Sequence, residues 1–284
     1  MSDHQILAVN VVYEIRAGPS RDTAIDKRPV TGAVVVGELG LDGDTQCDTR
    51  NHGGPDKALY AYASEDAAWW AEALDREINP GLFGENLTTC GIDVNGAVIG
   101  ERWCIGNGDD AVVVEVRMPR TPCNNLSARV GIHRFHHRFG ATGRVGAYLK
   151  VISPGKVSAG DVLRVEHRPD HGVTIADVLL NRTPDTAHRL LEPPADIADD
   201  VRRLAKRIID RAKRRSPSAP HVCRTSRREP VTDLQALGEA QVLQLAHVEF
   251  ERRSLTIDHR GQVACPPCRV VGDQVQRRSR PRSV

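Results

Sequence analysis

Aromatic side chains are scarce in this 284-residue chain: Phe, Trp and Tyr together make up 4% of it. A core built from this composition has to be mainly aliphatic. Long apolar runs are missing too. No window approaches the roughly 18 apolar residues of a membrane helix, which excludes a helical membrane anchor and makes a membrane partner unexpected. Residues 1–18 (MSDHQILAVNVVYEIRAG) place acids early and alternate like a strand, without the pattern of a secretory leader. A dominant charge sign is absent as well. Lys and Arg number 39 against 37 Asp and Glu, a net +2, too little to argue for nucleic-acid binding. The seven cysteines are odd in number and irregular in spacing. That pattern disfavours a disulfide framework and leads us to expect reduced thiols in the cytoplasm. Lysine is missing from residues 216–284, where all eleven cations are arginine.

What is present, up to about residue 168, is a series of short Val- and Ile-rich runs bounded by Gly, Asp and Asn. ILAVNVVYEI, AVVVGELGL, ALYAYA, AVIGERWCIG, AVVVEVRM, GAYLKVI and VLRVEH read as strands. Many strands with few long helices point to a barrel or a strongly curved sheet. Gly155–Val165 reads as a hairpin turning at Ala159-Gly160-Asp161. One helix interrupts the strands, over Ala67–Glu77, with Ser64 as its expected cap and one of Trp69 and Trp70 facing the core. From His171 the periodicity changes. Thr174 and Thr183-Pro184 are helix starts, and Ile197, Val201, Leu204, Ile208 and Ile209 recur at helical spacing. This predicts a small three-helix unit. After Arg215 the composition becomes that of a linker, one amphipathic stretch (DLQALGEAQVLQLAHVEFER) and a basic, poorly ordered end.

Four segments could carry chemistry. In NHGGPDKALYAYA, paired glycines can turn successive N–H groups toward one anion, with Lys57 adding charge and His52 a donor. In GLFGENLTT, Gly84 permits close backbone approach, and Asn86, Thr88 and Thr89 offer partners for a polar heterocycle. Lys27 and Arg28 are adjacent cations able to meet a phosphate. In RMPRTPCNNLSAR, Cys123 lies three residues after Arg120, and a nearby cation favours the thiolate, a nucleophile and a soft-metal ligand. Each segment also has a plain reading, as a tight loop, a solvated charge or a buried inert thiol. His133, His136 and His137 could share a helix face and bind a metal, or simply be a solvated basic helix. Cys265 and Cys268, with Cys223, His221 and His259, match no zinc spacing we recognise.

Taken in order, IDKRPV, GLDGDTQCD, NHGGPDKALYAYA, GLFGENLTT, IGERWCIG, MPRTPC, GRVGAYLKV and GKVSAGDVLRV resemble the MOSC domain, most closely its YiiM-like branch. The resemblance covers about residues 5–168, and residues 171 to about 215 are similar to the three-helix domain that follows it in that branch. It implies a fold that is mainly β with some α: a MOSC-type β-barrel at 1–168, a three-helix unit at 169–215, and nothing for 216–284. It also implies binding of the molybdenum cofactor (molybdopterin). Cys123 would then be the catalytic residue and metal ligand. Lys27, Arg28, His52, Lys57, Asn86, Thr88 and Arg120 would lie near the cofactor. Relatives are associated with reduction of N-hydroxylated bases and hydroxylamines. The chain carries no flavin, haem or iron–sulfur motif, so an external reductase of flavin or iron–sulfur type is implied as electron donor. The competing reading is a non-catalytic carrier of the cofactor, or of sulfur on Cys123. A third, a nucleic-acid-binding basic tail, predicts salt-sensitive binding lost on truncation at Arg215.

Overall fold

The short branched-aliphatic runs become strands because each can bury one or both faces against its neighbours. The computed structural model describes residues 4–19, 21–192 and 196–215. Its strands are β1 (His4–Ala17), β2 (Asp22–Pro29), β3 (Val34–Gly37), β4 (Gly40–Leu41), β5 (Leu59–Ala63), β6 (Leu87–Cys90), β7 (Arg102–Ile105), β8 (Val112–Pro119), β9 (Ala147–Ser153), β10 (Gly155–Val157) and β11 (Val162–His167). The hydrogen-bonded order is β11-β7-β8-β9-β5-β6-β1, and β11 also pairs with β1, so these seven strands close into a barrel. Closure leaves no free edge in that ring. β2 continues outward from β1 as a ribbon. A separate small sheet runs β10-β3-β4.

The expected Gly155–Val165 hairpin does not form. The turn is there, with Asp161 N–H donating to Ser158 C=O, but the strands on either side enter different sheets. β10 pairs with β3, while β11 pairs with β7 and β1. The amide of Gly160 bonds Ile6 C=O, which pulls the turn onto β1. The run at 97–101 also differs from expectation. Only Arg102–Ile105 is strand, while Ile99 N–H bonds Val173 C=O and Ile175 N–H bonds Ala97 C=O. Those bonds tie the helical segment to the barrel by its backbone.

The helices are α1 (Thr49–His52), α2 (Ser64–Leu74), α3 (Asn124–Val130), α4 (Phe135–Ala141), α5 (Ile175–Leu180), α6 (Pro184–Leu191) and α7 (Asp199–Arg215). Ser64 is the first residue of α2 rather than its cap, and its hydroxyl bonds Glu65. Trp70 is fully buried against Phe135 and Phe139, while Trp69 is only partly buried, the one-in, one-out arrangement that adjacent helical positions impose. Most of the few aromatics gather in this one cluster, and aliphatic side chains fill the barrel. Thr174 caps α5 through a reciprocal capping box with Asp177, and Thr183 caps α6. Val178, Leu190, Ile197 and Val201 bury into the same core as the barrel. No helix among the described residues is long and apolar enough to cross a membrane. The linker, the amphipathic stretch, the CxxC pair and the basic end lie outside the described residues.

Candidate functional site

β8 ends at Pro119, and the chain then runs through Arg120, Thr121 and Pro122 to Cys123, which adopts extended backbone immediately before α3. Pro119 pairs with Ala147 and Met118 with Tyr148, so the start of β9 lies beside this exit. The three-residue helical turn Pro55–Lys57 and α1 bring in Lys57 and His52. Together with β2 and the loop before β6 they enclose a cleft of about 80 Å³ that opens to solvent. Lys27, His52, Lys57, Asn86, Arg120 and Cys123 all line it. Segments separated by nearly 100 residues therefore converge on one cavity.

Two of the expected residues do not. Arg28 points away, 46% exposed, stacked over the Tyr13 ring and beside Asp26. Lys27 and Arg28 are consecutive on a strand, so when one faces the cleft the other cannot. Thr88 is buried in the barrel wall, where its hydroxyl accepts from Asn10 Nδ2 and donates to Glu85.

The residues that do converge are not equally available. Lys27 Nζ donates to Asp44 at 2.5 Å, with side-chain exposures of 8% and 4%. Burial pushes the Lys27 ammonium down, and Asp44 opposes that push. Asn86 is fully engaged, accepting from Tyr60 N–H and donating to Asn10 C=O and to Asp44. Lys57 donates to Asp200 at 2.7 Å, across from the start of α7. Arg120 is different. It is 3% exposed, makes no ion pair among the described residues, and leaves Nη1 buried without a hydrogen-bond partner. Its guanidinium carbon lies 5.7 Å from the Tyr60 ring and 6.0 Å from that of Phe139. A buried cation with an unanswered N–H is costly unless a ligand completes it. From the cleft side, Arg120 can therefore take a hydrogen-bond acceptor, an anion among them.

His52 Nδ1 and Tyr148 Oη share a hydrogen bond of 2.7 Å. Burial, then the nearby Arg120 and Lys57, lower His52 to about 4, with Asp48 opposing. Burial raises Tyr148 to about 12. At neutral pH the imidazole is uncharged and the phenol keeps its proton. This has a consequence for stability. His52 titrates near 4 when folded and near 6.5 when not. Between those values the unfolded chain binds the extra proton, so stability should fall as pH drops from about 7 to 4. At ~1.4 kcal/mol per pKa unit the loss approaches about 3 kcal/mol. Urea midpoints at pH 7.5 and 4.5 should diverge less in His52→Asn than in the native sequence.

Sequence reasoning missed Asp44, Glu85, Tyr148 and Asp200. Glu85 is buried and closes the loop before β6 by accepting from Gly81 N–H and Phe83 N–H. Burial raises its carboxyl, and those amides pull the other way. Gly81 takes φ +84° where a Cβ would fall 2.4 Å from Lys27 C=O, so that loop can lie against β2 only with glycine there. Asp44 lies inside GLDGDTQCD, a stretch whose turn-like composition gives no sign of a buried partner. Tyr148 read as an ordinary strand residue, and Asp200 lies in a helical stretch whose apolar spacing alone was read. The histidine segment does not make one helix face: α4 begins at Phe135, after His133, and His136 Nδ1 lies 2.8 Å from Ser127 Oγ. Among the described residues no group of three or more His, Cys, Asp or Glu side chains could hold a metal ion.

The MOSC domain family profile matches residues 48–164. YiiM of Escherichia coli is 34% identical over 207 residues, 69% of this chain and 89% of that protein. A protein named reductase from Gibberella moniliformis is 29% identical over 170 residues, 56% of this chain and 30% of its own length. The crystal structure of YiiM from Geobacillus stearothermophilus superposes with a TM-score of 0.60 at 26% identity, covering 72% of this chain and 99% of that one. With the seven-stranded barrel, the Arg-x-x-Cys exit from β8 and near-complete coverage of the two YiiM proteins, the chain belongs to the MOSC-domain family, in its YiiM-like branch.

Proposed function

We propose that this chain binds the molybdenum cofactor in the cleft, with Cys123 Sγ as the protein's ligand to the metal. We propose further that it reduces N-hydroxylated bases or related hydroxylamines. The observation that carries this reading is the pairing, in one cavity, of a half-buried thiol with the buried guanidinium of Arg120, whose Nη1 has no hydrogen-bond partner among the described residues. A single thiol suits a soft metal that arrives with its other ligands attached. Arg120, and Lys57 once released from Asp200, suit the anionic tail of such a group. Family membership and the relative named reductase support the same direction.

The bound group supplies a two-electron couple to the cleft. The overall change is R–NHOH + 2 e⁻ + 2 H⁺ → R–NH₂ + H₂O, with the electrons delivered by a separate flavin- or iron–sulfur-containing reductase. The chain's own residues set the surroundings. Cys123 fixes position, Arg120 answers negative charge, and the His52–Tyr148 pair offers hydrogen bonds without changing charge near pH 7. Lys27, Asp44 and Asn86 hold the floor of the cleft rather than contacting a ligand through free groups.

The test is turnover. Cofactor-loaded protein with a reductase should convert N-hydroxyadenine to adenine, one equivalent of two-electron donor per product. Stoichiometric molybdenum with no turnover of N-hydroxyadenine or hydroxylamine, using either donor class, would replace this reading with that of a carrier.

A further inference from the structure

Two adjacent residues of the helical turn before β5, Asp56 and Lys57, both connect to the short segment that opens α7. Arg117 bridges Asp56 to Asp196, and Lys57 meets Asp200. The two links differ in kind. Arg117 is deeply buried, bonds Glu115 and Asp56, and also donates to the backbone C=O of Asp196 at 2.8 Å. That link anchors the segment. The Lys57–Asp200 link is lopsided. Lys57 is buried, while Asp200 is 42% exposed, and its second oxygen already accepts from Arg203 at 2.5 Å. Losing Lys57 would strand neither the carboxylate nor the helix. The contrast with Lys27–Asp44 is plain, since both partners there are closed off from solvent. Lys57 also shares its cavity with Arg120, and both depress His52, so a cation released from Asp200 would add to the same anion site.

We propose that Asp200 is the built-in counter-ion of this anion site: it holds the Lys57 ammonium when the cleft is without a ligand and sets how tightly the cleft grips a phosphate-class anion. The inference rests on the cleft being an anion site and extends that site to the helical segment. An arriving oxyanion takes Lys57 together with Arg120, and Asp200 keeps Arg203. Asp200 is thus a positioning residue acting through Lys57.

Inorganic pyrophosphate binding to the full-length protein, measured by calorimetry at low ionic strength, tests this. Asp200→Asn should bind about tenfold tighter than the native sequence, because a unit negative charge beside a partly buried cation is removed. Lys57→Gln should bind more weakly, and adding Asp200→Asn to it should bring no gain. Asp196→Asn removes a carboxylate from the same segment without touching Lys57 and should stay within about twofold of native. A purely structural role for Asp200 would not raise affinity. Unchanged or weaker binding by Asp200→Asn, an equal gain in the Lys57→Gln background or in Asp196→Asn, or no binding by any form, each overturns the proposal. Molybdenum content of the same preparations separates the two readings. A loaded native protein with a flat pyrophosphate series sinks the Asp200 inference alone. A protein that never takes up the cofactor but shows the tenfold contrast sinks the cofactor reading alone.

Discussion

Cys123→Ser protein purified anaerobically is expected to carry molybdenum and pterin at less than about a tenth of the native level. The reasoning starts from ligand chemistry. Serine keeps the size and loses the soft, ionisable sulfur. Changes one shell further out typically cost about 10–100-fold in metal affinity, so removing the direct ligand should cost at least that. Folding should be unaffected, because Cys123 is half-buried, makes no side-chain cap and forms no disulfide. A melting temperature near native with metal lost would locate the effect in the site. Cys47, which also lines the cleft, supplies the control: Cys47→Ser should retain its metal. Elemental analysis with pterin release measures both variants.

Asp44→Ala should be the most damaging change to the cleft's framework, at about 3–5 kcal/mol. Its carboxylate accepts from Lys27 Nζ, Asn86 Nδ2 and Val12 N–H, all within the wall between β1, β2 and the loop before β6. Removing it leaves a buried ammonium without a partner, and breaking one side of a buried pair typically costs about 3–5 kcal/mol. Replacing both members by apolar residues removes the stranded charge. The double variant Lys27→Met, Asp44→Leu should therefore recover most of the loss, although Val12 N–H and the Asn86 Nδ2 proton that Asp44 accepted stay unanswered. Urea unfolding of the single and double variants decides this. Equal destabilisation in both would mean that packing, and not the unpaired charge, sets the cost.

Much of the barrel was legible because alternation and β-branched runs are local signals. β1, β3 to β5, β7 to β9 and β11 fall close to where those runs lie, β10 falls in the first arm of the expected hairpin, and β2 (Asp22–Pro29) and β6 (Leu87–Cys90) lie outside the runs. The missed hairpin at Gly155–Val165 shows the limit. A turn sequence reports that the chain bends, while Ile6 and Val35, far away in sequence, decide which sheets the two arms join. Ser64 shows the same limit for a helix start, where β5 runs directly into α2 and leaves the serine inside the first turn.

The candidate site was legible in residue type more than in role. Lys27, Lys57, Arg120 and Cys123 were marked by charge and thiol chemistry, and the fold brings all four to one cavity. Which cation has a partner could not be read from the chain. Asp44 and Asp200 answer Lys27 and Lys57 from 17 and 143 residues away, and only Arg120 of these cations lines the cleft without an ion pair among the described residues. Arg28 was misplaced because adjacency along a strand sends neighbouring side chains to opposite faces.

X-ray absorption at the molybdenum edge addresses the central claim most directly. The native protein should show one more sulfur scatterer around molybdenum than cofactor-reconstituted Cys123→Ser. Indistinguishable sulfur shells in the two would mean that the thiol at 123 does not touch the metal, and its assignment as the protein's ligand in the cleft would be wrong.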